Sequence, residues 1–97
     1  MKFEWDRQKA KSNVVKHGIT FEEASKLFLG RADFVEIFDE SHSCDEDRFI
    51  AIGPIAKGIV VVVYIEKSLE LIRIISARKA TRREVDLFIR FKKGISK

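Results

Sequence analysis

Arg73 stands in the middle of the apolar run Leu71-Ile72-Arg73-Ile74-Ile75. A guanidinium is costly to bury there unless the strand borders a solvent-lined groove or an acid pairs with it. If Lys67-Ser68 forms a two-residue hairpin turn, Glu66 lies opposite Leu69, Tyr64 opposite Leu71 and Val62 opposite Arg73. This register places Glu66, Tyr64 and Arg73 on one sheet face, so a base, a phenol and a cation share a surface. The structural use of the same residues is an internal Arg73–Glu66 salt bridge across the sheet, with Tyr64 as ordinary core.

The run Ser76-Ala77-Arg78-Lys79-Ala80-Thr81-Arg82-Arg83-Glu84 is the second constellation. Its four cations flank the start of a helix, where free backbone amides already favour an anion, so a phosphate binds there with little rearrangement. Arg82 and Arg83 in a first helical turn oppose the helix macrodipole, which a nearby anion relieves, although Glu84 and Asp86 also offset them locally. The wider charge pattern agrees. Residues 33–47 hold seven carboxylates and no Lys or Arg, whereas residues 70–97 hold nine Lys or Arg against three acids. Concentrated positive charge on a small domain is the footprint of a polyanion partner, and equally of a solvated surface that keeps a protein soluble.

Other chemistries lack their motifs. There is no glycine-rich phosphate loop, dinucleotide fingerprint, HExxH or nucleophile elbow, so NTPase, nicotinamide oxidoreductase, zincin and serine-hydrolase readings have no support. His42, Cys44, Asp45 and Asp47 sit in an acidic loop without a second ligand cluster and read as a solvated turn; no metal or cofactor is expected. The single cysteine, Cys44, excludes an intramolecular disulfide. The longest apolar run, Ile59 to Ile65, is far short of the roughly 20 residues that cross a bilayer, and the start MKFEWD has no apolar signal region. A cytoplasmic protein without membrane association is expected.

The elements that must position these residues are short and closely spaced, and 97 residues leave room for one domain spanning 1–97. Residues 2–5 alternate as a short strand. Asp6 reads as an N-cap, residues 7–17 as a helix with Ala10, Val14 and Val15 on its apolar stripe, and Gly18 as a left-handed C-cap. Thr20 with Glu23 forms a capping-box pattern ahead of Phe21, Ala24, Leu27 and Phe28, a second helix ending at Gly30. Residues 33–39, 48–53, 59–66 and 70–76 are strand-like and closely connected, which gives a four-stranded antiparallel meander with 59–66 central. Thr81 and Glu84 repeat the capping box for a last helix with Val85, Phe88 and Ile89 as its apolar face, ending near Gly94. The order β-α-α-β-β-β-β-α, an antiparallel sheet with two N-terminal helices and one C-terminal helix, is an α+β domain.

The blocks Trp5-Asp6, Lys9, Asn13, Lys16-His17-Gly18 and Phe21-Glu22-Glu23-Ala24, followed by Arg48, Gly53, Glu66, Arg73-Ile74-Ile75-Ser76-Ala77-Arg78 and Ala80-Thr81-Arg82-Arg83-Glu84, resemble the BrnT toxin family over nearly the whole chain. The chain departs from that pattern at Tyr64, where members often carry His, and at Phe88, where they often carry Tyr. The resemblance implies a RelE-like fold and a ribonuclease toxin of a type II toxin–antitoxin pair. It further implies neutralisation by a BrnA-type antitoxin, which alone contacts operator DNA. Metal-free RNA cleavage needs a base for the attacking 2′-hydroxyl, cations for the charge growing on the phosphoryl oxygens, and an acid for the 5′-oxygen. On that footing Arg73 and Arg78 are expected to clamp phosphate, Arg48 to add a cation, and Glu66 to act as base. His17 is the alternative base or a helix cap, Tyr64 a hydrogen-bond donor, and Lys79, Arg82 and Arg83 RNA contacts. A non-catalytic basic module that meets nucleic acid or an acidic protein is the competing reading.

Overall fold

A computed structural model describes residues 1–30, 32–40 and 46–94. The elements are β1 (Lys2–Glu4), α1 (Arg7–His17), α2 (Phe21–Leu29), β2 (Val35–Phe38), β3 (Arg48–Ile55), β4 (Gly58–Ser68), β5 (Leu71–Lys79) and α3 (Arg82–Lys93). They form an α+β fold in the expected order. The strands make one sheet in the order β1-β5-β4-β3-β2, with β4 central. Strands β2 to β5 are the antiparallel meander, while β1 adds to the β5 edge in parallel and makes the sheet mixed.

The helix ends follow their side chains. The Asp6 carboxylate accepts from the backbone of Gln8 and Lys9, and Gly18 turns left-handed at φ 69° to close α1. Complete capping boxes start α2 at Thr20/Glu23 and α3 at Thr81/Glu84. Strand β3 runs further than its sequence suggests, through Pro54 to Ile55, and turns on Ala56-Lys57. Proline is tolerated there because β2 pairs no further than Ile52, so no neighbour asks Pro54 for a donor. Lys57, in that turn, donates to the Gly18 carbonyl at 2.7 Å and pairs with Glu23 at 3.1 Å, pinning the α1–α2 junction to the sheet.

Each sheet face has its own core. Helix α2 with the inner side of α1 covers Ala51, Val60, Val62, Tyr64, Ile72, Ile74 and Ala77, with Phe21 and Leu27 fully buried between them. On the other face Phe88 of α3 packs on Ile52 and Val61. Gly53 permits the close approach of α2: a β-carbon there would lie 2.7 Å from both Leu27 Cδ1 and Phe34 Cβ.

The apolar stripe expected on α1 is only partly present. Ala10 packs inward, but Val14 and Val15 are exposed, and the helix buries Asn13 instead. The Asn13 amide donates to the carbonyls of Ile19 (2.9 Å) and Ala77 (2.7 Å), and its oxygen accepts from the Ala77 amide at 3.1 Å. Strand β1 pairs only with residues 71–73, so Asn13 takes the place of a neighbouring strand at Ala77. A helix that docks through one polar side chain needs little hydrophobic periodicity.

Candidate functional site

The β4–β5 register decides which residues meet. The hairpin turns at Leu69-Glu70 rather than Lys67-Ser68: Ser68 pairs with Leu71, Glu66 with Ile72, Ile65 with Arg73 and Tyr64 with Ile74. Relative to the sequence expectation, Arg73 moves from Val62 to Ile65. An odd shift of this kind transfers a side chain to the opposite face. The shared surface of Glu66, Tyr64 and Arg73 is therefore not formed, and the internal Arg73–Glu66 bridge is replaced by another pair. Arg73 Nη1 lies 3.0 Å from Glu4 Oε2, a carboxylate delivered by the parallel pairing Glu4↔Arg73.

What the register does assemble is an arginine face. Glu4, Arg73, Ile65 and Arg48 form one transverse row on the side of the sheet that carries α3. Ile65 is 4% exposed, and the two arginines flank it with backbones about 10 Å apart, two strand spacings. Arg78, paired with Val61, points to the same side two rows along. Its fork is engaged: Nη1 and Nη2 each lie 2.8 Å from an oxygen of Glu84. The Arg78 guanidinium holds the Glu84 carboxyl down at about 2, helped by the Thr81 amide, and Glu84 in turn raises Arg78. Arg73 and Glu4 are each about a third exposed, so this part of the face is open to a ligand.

Tyr64 and Glu66 belong to the opposite face. Tyr64 is 1% exposed, stacks with Phe49 and meets Phe28 edge-on. Its hydroxyl donates a hydrogen bond to Glu36. Burial, with Glu36 and then Glu66 beside it, pushes the phenol well above its usual range, so it stays protonated and keeps the proton it donates to Glu36. Tyr64, Glu36 and Glu66 line one small pocket together with Phe28, Phe34 and Ile72.

His17 lies on neither sheet face but at the end of α1, in a groove with Lys16, Lys9 and Ser76. Lys79 Nζ donates to the Lys57 carbonyl at 3.1 Å, while Arg82 and Arg83 are exposed in the first turn of α3. Of the acidic-loop residues, His42, Cys44 and Asp45 lie outside the described residues, which contain no cluster of three or more metal-ligating side chains. Two roles escaped the sequence reading. Glu4 was hidden because parallel pairing of the first strand with the last leaves no local signal, and Asn13 because a lone amide in a basic helix resembles surface.

A model of the family described as "Ribonuclease toxin, BrnT, of type II toxin-antitoxin system" matches residues 5–84. The chain belongs to the BrnT toxin family. Among solved structures it is similar to the 1.1 Å crystal structure of the Brucella abortus ribonuclease toxin BrnT, with 28% identity and a TM-score of 0.67. That match covers 84% of this chain and 99% of the Brucella one. Comparison with curated proteins gives no match. No helix among the described residues is long and apolar enough to cross a membrane.

Proposed function

We propose that this BrnT-family chain is a metal-independent endoribonuclease of the cytoplasm that arrests growth and is neutralised by a BrnA-type antitoxin, with its reacting centre on the arginine face. The observation that carries the reading is the row Glu4–Arg73–Ile65–Arg48. Two guanidiniums flanking an apolar floor suit a phosphodiester, because each planar fork matches two phosphoryl oxygens and stays charged throughout the reaction. The 2′-oxygen bonds to the adjacent phosphorus as the bond to the 5′-oxygen breaks, and the departing 5′-oxygen takes a proton from solvent water, leaving a 2′,3′-cyclic phosphate and a 5′-hydroxyl. Arg73 and Arg48 stabilise the charge that grows on the phosphoryl oxygens. Glu4, beside Arg73, is the carboxylate in reach of the 2′-hydroxyl proton.

The remaining residues take supporting parts. Arg78 is a clamp only if phosphate displaces Glu84, and it otherwise anchors α3. Glu66 and Tyr64, on the far face, serve the reaction less directly than their sequence positions suggested, and His17 remains the alternative base. Lys79, Arg82 and Arg83 extend the phosphate contacts along the strand–helix junction. The competing reading, a non-catalytic basic module, draws on the carboxylate partners that Arg73 and Arg78 already have. Purified protein with labelled RNA and EDTA separates the two: cyclic-phosphate products that vanish with Arg73→Ala support the ribonuclease, and binding without cleavage supports the module.

A further inference from the structure

Helix α1 carries Arg7, Lys9, Lys11, Lys16 and His17, and no acid occurs from residue 7 to residue 20. Lys9 and Lys16 lie seven residues apart, about 10 Å along the helix axis. Both line an open groove of about 320 Å³ between α1 and the β5 edge, together with Gln8, Ser12, His17 and Ser76. That volume is at the lower end of the roughly 300–1,000 Å³ of small-molecule sites. Among the described residues, none of Lys9, Lys16 and His17 forms an ion pair. The acid adjoining them in sequence, Asp6, has its carboxylate committed to the amides of Gln8 and Lys9. The groove exists because β1 stops at Glu4 and β5 bulges at Ile75, leaving an edge that α1 closes only at Asn13.

We infer that this groove is a second nucleotide-binding subsite, which holds the RNA backbone through Lys9 and Lys16 while the scissile phosphate lies on the arginine face. The inference rests on the ribonuclease reading. Unpaired ammonium groups supply phosphate affinity. The neutral Gln8, Ser12 and Ser76 between them supply hydrogen bonds to ribose hydroxyls and base edges. Strand β5 is the shared wall: Ser76, which lines the groove, pairs with Val63, and Arg78 and Arg73 pair with Val61 and Ile65, so all three lie on the same side of the sheet. A single strand leaving Arg73 over the β5 edge enters the groove directly. An acidic peptide needs the cations but not this set of neutral donors.

The probe is a fluorescent 12-nucleotide RNA, 2′-O-methylated throughout so that the attacking hydroxyl is absent. Its dissociation constant is measured over a salt series by anisotropy with the full chain. Lys9→Ala combined with Lys16→Ala is expected to weaken binding about tenfold or more and to lower the log–log salt slope by about 2, one for each lost phosphate contact. Lys11→Ala, which removes the same charge from the same helix outside the groove, is expected to leave both unchanged. Alanine favours the helix, and a Lys9→Gln, Lys16→Gln pair that retains the stem gives a second reading of the same loss. Equal affinity for wild type and both double variants, an equal loss with Lys11→Ala, or tighter binding of a polyglutamate peptide than of RNA overturns the subsite. Cleavage of unmodified RNA is scored in parallel. Groove-dependent binding without cleavage overturns the ribonuclease reading alone, and cleavage with groove-independent binding overturns the subsite alone.

Discussion

Arg73 is the residue on which the two uses of this sheet diverge. Its ion pair with Glu4 is about one-third exposed on each side, so the pair contributes little to stability, on the order of 1 kcal/mol or less. Glu4→Gln therefore melts within a few degrees of wild type, and if Glu4 takes the 2′-hydroxyl proton the same variant loses cleavage by roughly 10²-fold or more. A melting curve and a cleavage assay on one preparation check both. Tyr64 shows the opposite character. Its phenol is buried and donates to Glu36, so phenolate absorbance is expected to stay absent through mildly alkaline pH and to appear only as the protein unfolds. An ultraviolet pH titration of native protein reads this. That Arg73 needed a partner was legible in the sequence, because a cation amid five residues of strand is expensive. Which partner was not legible, since Glu4 lies 69 residues away and meets it only through a parallel pairing.

Element boundaries were legible because their signals are local. Asp6, Gly18, Thr20 with Glu23, and Thr81 with Glu84 cap the helices where the sequence placed them, and β4 is the central strand. The β4–β5 register was not, because Lys67-Ser68 and Leu69-Glu70 are both acceptable turns and the structure adds irregularities at Val63/Tyr64 and Glu66/Ser68. Packing settles that choice by burying Tyr64 beside Ile74 on the α2 side. Two consequences are measurable at this scale. Asn13→Ala strands three buried hydrogen-bonding groups on Ile19 and Ala77, so it is expected to cost about 2–4 kcal/mol in chemical denaturation. Glu84 has its carboxyl lowered from 4.5 to about 2 by Arg78. A lowered carboxyl stabilises the fold at pH above its unfolded value and loses that contribution as pH falls through the folded one. The anchoring of α3 is thus expected to weaken between about pH 4.5 and 2, and the Glu84→Gln variant to show a flatter decline of melting temperature over that window.

For the whole molecule, charge and apolar exposure point to two partners. Cations concentrate on α1, β5 and the start of α3, and the net charge is +4 despite the acidic stretch at 33–47. Exposed Val14 and Val15 on α1 and Leu87, Ile89 and Phe91 on α3 offer apolar surface that a proteinaceous antitoxin can cover. Co-expression with a cognate antitoxin is expected to give one species in size-exclusion chromatography at micromolar concentration, with about 1,000 Å² or more buried. Two separate species contradict that. The central claim, cleavage on the arginine face, is tested most directly by incubating wild-type and Arg73→Ala protein with labelled RNA in EDTA and comparing their melting temperatures. The account predicts 2′,3′-cyclic phosphate products from wild type, a loss of roughly 10²-fold or more in the variant, and nearly equal melting. Undiminished cleavage by Arg73→Ala, or a collapsed melting temperature with cleavage retained in its folded fraction, would contradict it.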